Sequence, residues 1–378
     1  MRVIHIADPH LGYRAYNRVN KQGLNMREAD VFLAFREAIH KTAELKPDLV
    51  LIAGDMFHVV RPSNLTIQYS FRELAALTQK ITAPTVIIGG NHDSPRSADT
   101  GCILDLLKNL PGIHVAHSEY LQIKLDQLDA SVFCLCHRAL PHISSLKIEP
   151  DPSSKHNILL AHGTVEGVLK YAGDLYQLSR SQVIRDDWDY IAFGHYHSFT
   201  ELAPNAYYAG SLEYTSTSLW SETKAKKGFI EYDIADRKLI SFHNVSTREV
   251  VDLRPIDADG LAADEVNRMI VNRIEGIDGG HADKIVRLII ENLPRGVQAD
   301  LDFAFIRSIR TQALHFELQT RLPSRTGVSS DSREAGTARS LEDEWADFAR
   351  DCEVPGGVDR DRLTDLGRDY IARQESAS

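Results

Sequence analysis

The chain has 378 residues, of which 43% are hydrophobic and 25% are charged, and these are ordinary values for a folded globular protein. This length is sufficient for two or three domains. The formal net charge of −10 argues against a protein that binds nucleic acid through bulk electrostatic attraction, although it does not exclude an enzyme that acts on nucleic acid. The first apolar run has the length of one strand and no run could cross a bilayer, so we expect a soluble, cytoplasmic protein.

Residues 1 to about 115 alternate between short apolar strands and amphipathic helices. This alternation is typical of βαβ units, in which parallel strands form the centre of a sheet. The loops that follow parallel strands share one edge of that sheet. The predicted elements, in chain order, are strand 2–6, helix 28–45, strand 49–53, helix 64–81, strand 85–88 and helix 100–109.

After residue 118, short strands follow one another with few helices between them. A second, mixed or antiparallel sheet packed on the first would accommodate these strands, and one helix is predicted near 174–186. We expect the thiols of Cys134 and Cys136 to be buried and to point to opposite faces of their strand. The strands are predicted at 120–125, 131–137, 157–161, 189–193, 206–210, 228–234 and 238–245.

An α+β pattern begins near residue 250 and predicts a small accessory domain over residues 250–322. Residues 323–339 have the composition of a flexible linker. Residues 340–378 predict two short amphipathic helices, which favour either a partly disordered tail or a docking segment for a partner. The elements predicted within the accessory domain are strand 250–253, helix 263–274, strand 284–290, helix 298–308 and strand 313–320.

Five of the predicted strands end in polar side chains that can bind a metal. The apolar strand at 85–88, for example, stops at two glycines and leads directly to Asn91 and His92. A single such end is usually a capped turn, whereas five of them at neighbouring sheet edges indicate a metal site. The candidate ligands are Asp8 and His10 after the first strand, Asp55 after the second, Asn91 after the third, His162 after the fourth, and His195 and His197 after the fifth.

These residue types fit two-metal hydrolysis of a phosphoester, which needs a carboxylate that bridges two cations and a water that the cations make acidic. Asp55 stands alone at its strand end and is the predicted bridge. Mixed oxygen and nitrogen ligands suit manganese, iron or zinc better than copper. The predicted partition is Asp8, His10 and one histidine of the pair 195 and 197 on one metal, and Asn91, His162 and the other histidine on the second.

Two further histidines are candidate catalytic residues. His92 neighbours a predicted ligand but points the other way if the backbone there is extended, so it could protonate or stabilise a leaving oxygen. His58, three residues after Asp55, could do similar work from the facing loop. We assign the histidines that follow no strand end to the core or the surface.

Together these blocks resemble the calcineurin-like metallophosphoesterase superfamily over roughly residues 1–245. Residues 6–12 and 54–63 resemble more narrowly the SbcD type, the nuclease subunit of a double-strand-break repair complex. Pro9 departs from the residues that are usual at its position. The resemblance is carried by Asp8 and His10, by Gly54 and Asp55, by Gly89 to Asp93, by Ala161 to Gly163, by Gly194 to His197 and, for the SbcD type, by His58, Pro62 and Ser63.

The resemblance implies an α/β fold, specifically a four-layer αββα metallophosphoesterase sandwich over residues 1–249. It implies that residues 250–322 form an α+β capping domain that contacts DNA, and that residues 340–378 form a C-terminal helical tail. The expected activity is that of an exonuclease or endonuclease acting on DNA ends with two manganese ions, for which other divalent metals could substitute. A homodimer is expected through helices at about 64–81 and 94–109, and an SbcC-type coiled-coil ATPase is expected to bind residues 340–373.

Two other functions remain open. A hydrolase of nucleotides or other small phosphodiesters would share every metal ligand. His58 with Pro62 and Ser63, together with an accessory domain and a tail, favours a nuclease over that enzyme. The second alternative is a scaffold that tethers DNA ends without cutting them. A complete ligand set together with His92 argues against the scaffold.

Overall fold

The computed structural model describes residues 1–95, 100–118, 120–168, 176–323, 345–346, 348–350 and 359–375. The chain divides into two compact units, Met1–Pro323 and Ser324–Ser378. No helix among the described residues combines the length and the apolar character that a membrane span requires. The larger unit contains two six-stranded sheets and one four-stranded sheet.

The first sheet has a parallel centre and an antiparallel edge. In spatial order its strands are β12, β11, β1, β2, β3 and β4, and the pairs from β1 to β4 are parallel. The bounds are Arg2–Ile6 for β1, Leu49–Ile52 for β2, Thr85–Ile88 for β3, Ile113–Ala116 for β4, Gly228–Asp233 for β11 and Lys238–Asn244 for β12.

Two strands predicted for the second sheet belong to the first instead. The segments predicted at 228–234 and 238–245 are β11 and β12, and β11 pairs antiparallel with β1, with Ile230 opposite His5. Both lateral edges of β1 are therefore hydrogen-bonded. A buried strand needs partners for its backbone groups on both sides, and β11 satisfies the side that β2 leaves open.

The second sheet is mixed, as predicted. In spatial order its strands are β5, β6, β7, β8, β10 and β9, and the two edge strands β5 and β9 run antiparallel to their neighbours. The bounds are Tyr120–Leu125 for β5, Ala130–Leu135 for β6, His156–His162 for β7, Tyr190–Gly194 for β8, Thr200–Ala203 for β9 and Ala206–Tyr208 for β10.

Three buried clusters define four layers. Helices α1 (Met26–Leu45) and α2 (Asn64–Lys80) cover the outer face of the first sheet. Alternate residues of both sheets fill the space between them, as the two-residue period of a strand requires. The outer face of the second sheet is covered by loops, by the 3-10 helix His137–Ser145 and by α3 (Arg180–Val183). The predicted αββα layering is confirmed.

Three local predictions were wrong or incomplete. Of the helix predicted at 174–186, only Arg180–Val183 is helical among the described residues, because the backbone of Leu178 is extended and hydrogen-bonds to Thr164 and Glu166. The helix predicted near 100–109 is a 3-10 helix, Ile103–Asn109. Cys134 and Cys136 both face the space between the sheets, because residues two apart in a strand share a face.

Residues from 250 onward in the larger unit form a smaller sheet covered by helices. Strands β13 and β14 pair in parallel with the start and the end of β15, and β16 pairs along its length. Their bounds are Val250–Asp252, Ile256–Asp257, Ile285–Glu291 and His315–Thr320 for β13 to β16, with helices α4 (Ala263–Glu275), α5 (Arg295–Ala299) and α6 (Phe303–Gln312).

The single helix predicted at 298–308 is therefore two helices. The side chain of Asp302 accepts a hydrogen bond from the Phe305 N–H at 2.9 Å, so a new helix N-terminus begins there. The domain boundary predicted between residues 249 and 250 stays a prediction.

In the smaller unit the described residues include α7, Arg360–Glu375. The indole N–H of Trp345 donates a hydrogen bond to the Thr364 carbonyl at 3.0 Å. Phe348, Leu366 and Tyr370 expose 63%, 60% and 67% of their surfaces. The linker predicted at 323–339 lies, after residue 323, outside the described residues, and so does Leu341.

Candidate metal centre

The carboxyl ends of β1, β2 and β3 in the first sheet, and of β7 and β8 in the second, supply all seven predicted ligands, with His162 as the last residue of β7 and the others in the loops that follow. Four of these residues have a left-handed backbone, with φ of 49° at Asp8, 48° at His10, 47° at Asp55 and 97° at His195. Residues other than glycine rarely adopt this conformation, and where they do the strain is commonly part of a functional site. The chain therefore turns sharply at the points where it delivers polar side chains.

Three glycines allow close approach at this centre, Gly54 and Gly194 between the two sheets and Gly90 between the loops after β2 and β3. A Cβ at Gly54 would lie 2.1 Å from Nδ1 of His162, and a Cβ at Gly90 would lie 2.1 Å from Oδ1 of Asp55. A Cβ at Gly194 would lie 1.8 Å from the carbonyl oxygen of Ala53. Any other residue type at these positions would displace a candidate ligand or the Ala53 carbonyl.

One cluster of ligand atoms consists of Asp8, His10 and His197, which lie within 4.8 Å of one another. The two Nε2 atoms of His10 and His197 are 3.0 Å apart. Burial lowers the pKa of His10 to about 3 and lowers that of His197 well below its usual value. Both imidazoles are therefore neutral at pH 7, which is the form that binds a cation.

A second cluster consists of Asp55, His162 and His195, again within 4.8 Å. The side-chain oxygen of Asn91 lies 3.0 Å from Nε2 of His162 and 2.9 Å from Nδ1 of His195. The sequence left open which of His195 and His197 belongs with each group of ligands. His197 lies with Asp8, and His195 lies with Asn91.

Asp55 lies between the two clusters. Its Oδ2 is 3.6 Å from Nε2 of His10 and 3.4 Å from Nε2 of His162, while its Oδ1 accepts the backbone N–H of His92 at 2.8 Å. This position is the one expected of a carboxylate that bridges two cations.

The carboxylates of Asp8 and Asp55 are both buried and close enough to affect each other's pKa. Burial raises the pKa of Asp8 to about 8, and the nearby Asp55 carboxylate adds to this effect. Burial also favours the neutral form of Asp55, but the adjacent His162 outweighs it and holds the pKa of Asp55 well below its usual range. Two buried acidic groups this close together suit a site for divalent cations.

The hydrogen bonds around the ligands also suit a metal. Nδ1 of His162 donates to the Ala53 carbonyl at 2.8 Å, which directs Nε2 of the ring toward Asn91 and Asp55. The backbone N–H of His195 donates to both carboxylate oxygens of Asp8 at 3.0 Å. Carboxylate, amide and imidazole groups are a donor set that manganese, iron and zinc accept.

His92 and His58 lie beside the first cluster. Nδ1 of His92 donates to the His58 carbonyl at 2.9 Å, and Nδ1 of His58 lies 3.3 Å from Nδ1 of His10. Both rings are partly exposed. Ligand atoms of His10, His58 and His92 lie within 4.8 Å of one another. His92 and His58 are therefore close enough to bind a metal as well as to act as catalytic residues.

Sequence reasoning missed four residues around this centre. Asp93 accepts hydrogen bonds from the backbone N–H of Gly90 at 2.8 Å and of Phe57 at 3.3 Å, and its place in the 89–93 motif was an available signal. The ring of His137 lies 6.0 Å from that of His195. Glu222 and Lys227 lie behind His197, and no sequence pattern marks them.

The calcineurin-like phosphoesterase family matches residues 1–199, which is just over half of the chain. The chain therefore belongs to that family. The matched region ends after His197 and so includes every candidate ligand and both candidate catalytic histidines.

Several curated relatives carry names from DNA repair. The DNA double-strand break repair protein Mre11 of Methanococcus maripaludis is 31% identical over 252 residues, which are 62% of this chain and 63% of that protein. Its namesake in Sulfolobus acidocaldarius is 25% identical over 87% of this chain and 77% of the relative. A component of the nuclease SbcCD of Staphylococcus saprophyticus is 23% identical over 75% of this chain and 73% of the relative. The chain thus spans just under two thirds of the first of these relatives.

Substitution of Gly90 by alanine tests the close approach of the loops after β2 and β3, which both belong to the first sheet. Because the new Cβ would overlap the Asp55 carboxylate, we expect Gly90→Ala to weaken manganese binding by at least about tenfold, the scale seen when groups that orient ligands are changed. Titration calorimetry of the full-length chain measures this. Gly296→Ala is the matched control, since a Cβ there meets nothing within 4 Å. Equal affinity in the two variants would contradict the geometry.

Proposed function

We propose that this chain is a metal-dependent DNA phosphodiesterase, an exonuclease or endonuclease that processes DNA ends in double-strand-break repair. One observation carries the proposal: six candidate ligand side chains from the ends of four other strands lie around Asp55 in two clusters. The names of the relatives support DNA as the substrate and repair as the context. The location that we propose is the cytoplasm.

Each cluster would hold one divalent cation, for which we propose manganese, with other divalent metals as substitutes. Asp8, His10 and His197 would hold one cation, and Asn91, His162 and His195 the other, with Asp55 shared between them. When bound, such a pair of cations polarises a phosphate and makes a water acidic enough to attack it. The neutral Asn91 limits the negative charge that the protein itself contributes to the centre.

The chain's own residues would orient the phosphodiester and donate a proton to its leaving oxygen. The Nδ1–H bond from His92 to the His58 carbonyl fixes the ring and leaves Nε2 for the substrate. In its protonated form His92 would donate a proton to the leaving oxygen of the phosphodiester. His58 lies against both His92 and His10, with its ring centroid 5.0 Å from that of His92, so it would assist from the same side.

Two alternative activities share the same ligands. Hydrolysis of nucleotides or other small phosphodiesters is distinguished by substrate preference, because DNA should compete strongly with bis-p-nitrophenyl phosphate in a DNA nuclease and weakly in a small-molecule enzyme. A tethering scaffold is less favoured, because its function would need neither the full ligand set nor a fixed His92.

We also propose the partners that the resemblance implies. A homodimer would form through α2 and the 3-10 helix Ile103–Asn109, which lie in the two segments, about 64–81 and 94–109, that the resemblance indicates. An SbcC-type coiled-coil ATPase would bind residues 340–373, and the exposed apolar side chains of Leu366 and Tyr370 support a docking surface there. Residues 250–322 would contact the DNA.

Substitution of His92 separates catalyst from ligand. We expect His92→Ala to retain manganese and DNA binding and to lower the rate of cleavage by about two to four orders of magnitude, because only the proton transfer is lost. The measurement is single-turnover cleavage of a short duplex with manganese, alongside calorimetric metal titration. The effect should fall on turnover rather than on apparent affinity.

Asp55→Asn is the contrasting variant in the same experiment and should lose both manganese binding and cleavage, since one carboxylate serves two cations. Loss of a manganese equivalent from His92→Ala would make His92 a ligand. Cleavage of bis-p-nitrophenyl phosphate that excess DNA does not inhibit would favour the small-molecule enzyme.

Deletion of residues 324–378 tests the role assigned to the smaller unit. Because Met1–Pro323 is compact by itself, the truncated chain should fold and retain manganese-dependent cleavage, while its association with a coiled-coil ATPase should be lost. Thermal melting, cleavage and co-purification measure the three properties. In the full-length chain, Leu366→Asp should abolish the same association without truncation. Normal co-purification of either variant would contradict the docking role.

A further inference from the structure

A buried carboxylate lies directly behind His197, on the side of the ring away from the metal centre. Oε1 of Glu222 is 3.7 Å from Nδ1 of His197, while Nε2 of the same ring faces His10 at 3.0 Å. The side chains of Glu222 and His197 expose only 3% and 12% of their surface. Neither of the two facing atoms has a hydrogen-bond partner among the described residues. Buried polar atoms are rarely left unpaired, so the two atoms complement each other.

The other oxygen of Glu222 is held in place. Oε2 accepts a hydrogen bond from Nζ of Lys227 at 2.6 Å, and this ammonium also donates to the His197 carbonyl at 2.9 Å and to Oγ of Ser211 at 2.8 Å. Lys227 is itself buried. The ammonium thus fixes Glu222 and the backbone of His197 together, and Oε1 is left for the imidazole.

The segment that carries Glu222 is also anchored to the part of the larger unit that follows residue 250. The 3-10 helix Leu219–Glu222 places the indole N–H of Trp220 2.8 Å from a carboxylate oxygen of Glu317. The guanidinium of Arg287 lies 4.7 Å from the centre of the Trp220 ring. Leu219 packs with Ile285 and Leu314. These contacts restrict where the Glu222 carboxylate can lie.

We propose that Glu222 is a positioning residue of the metal centre, which accepts the Nδ1–H of His197 and thereby fixes the ring with Nε2 toward the cation held with Asp8 and His10. Shortening the separation of the two atoms by about half an ångström brings the pair into hydrogen-bond range. A carboxylate behind a metal-binding histidine fixes its tautomer and raises its basicity. The proposal rests on the proposed two-metal site and adds a residue to it.

The test is manganese titration of the full-length chain by calorimetry, with thermal melting as the measure of folding. Glu222→Gln keeps the size of the side chain but removes the negative acceptor. We expect it to weaken binding at one of the two manganese sites by about 10- to 100-fold and to leave the other site unchanged.

A second variant distinguishes loss of the hydrogen-bond acceptor from misfolding. Glu222→Gln alone leaves the Lys227 ammonium buried and unpaired, which can destabilise the fold. The double variant Glu222→Gln with Lys227→Met removes both charges. It should melt close to the unaltered chain and still show the weakened site. Recovery of full affinity in the double variant would overturn the proposal.

The control is Glu231→Gln. Glu231 is a buried carboxylate paired with a histidine, His243, at 2.8 Å, but this histidine is not a candidate ligand. Its substitution should leave manganese affinity unchanged. If Glu231→Gln and Glu222→Gln weakened manganese binding equally, the effect would reflect general loss of structure and the proposal would fail.

A double-mutant cycle shows whether Glu222 acts through His197. In a His197→Ala background, Glu222→Gln should cause no further loss of manganese affinity, whereas independent effects would add. Additive losses would overturn the proposal. Absence of manganese binding by the unaltered chain would instead overturn the proposed function itself, so the two failures are distinguishable.

Discussion

The close approach of two sheet edges around the Asp55 carboxylate is the constraint on which the rest of the site depends. The carboxylate lies within 3.6 Å of imidazoles from both sheets, and its Oδ1 accepts a backbone N–H from the loop after β3. Only glycine fits at positions 54, 90 and 194, because any Cβ there would occupy the space of a ligand or its support. The left-handed backbone conformations of Asp8, His10 and Asp55 belong to the same arrangement. These conformations are strained, and the packing of the sheets offsets the strain.

The site was largely accessible from the sequence because strand ends are easy to recognise and parallel strands share an edge. A short apolar run followed by an Asp, Asn or His recurs five times, three times with glycine directly before the polar residue, and the fold brings all five ends together. The alternation of strands and helices predicted a parallel sheet with a second sheet packed on it, whereas the four αββα layers were implied by the family resemblance. The pattern could not decide which of His195 and His197 lies beside Asp8. Both residues follow the same strand, and only the turns of the backbone at the two positions differ.

Other features depend on contacts between residues distant in the sequence. Strand β11 belongs to the first sheet because it pairs with the open edge of β1, with Arg2 opposite Asp233. These two strands are more than 200 residues apart in the sequence. Leu178 was assigned to a helix because its partners at Thr164 and Glu166 carry no local signal. Glu222 and Lys227 resemble a solvated charge pair in the sequence, and only their burial behind His197 reveals another role.

We propose that Asp55 lies between two divalent cations. The most direct measurement is an anomalous difference map from crystals grown with manganese. It should contain two peaks about 3.5–4 Å apart, the usual separation in two-metal sites. One peak should lie beside Asp8, His10 and His197, and the other beside Asn91, His162 and His195. A single peak, or a peak held by His10, His58 and His92 with none beside Asn91, would contradict the claim.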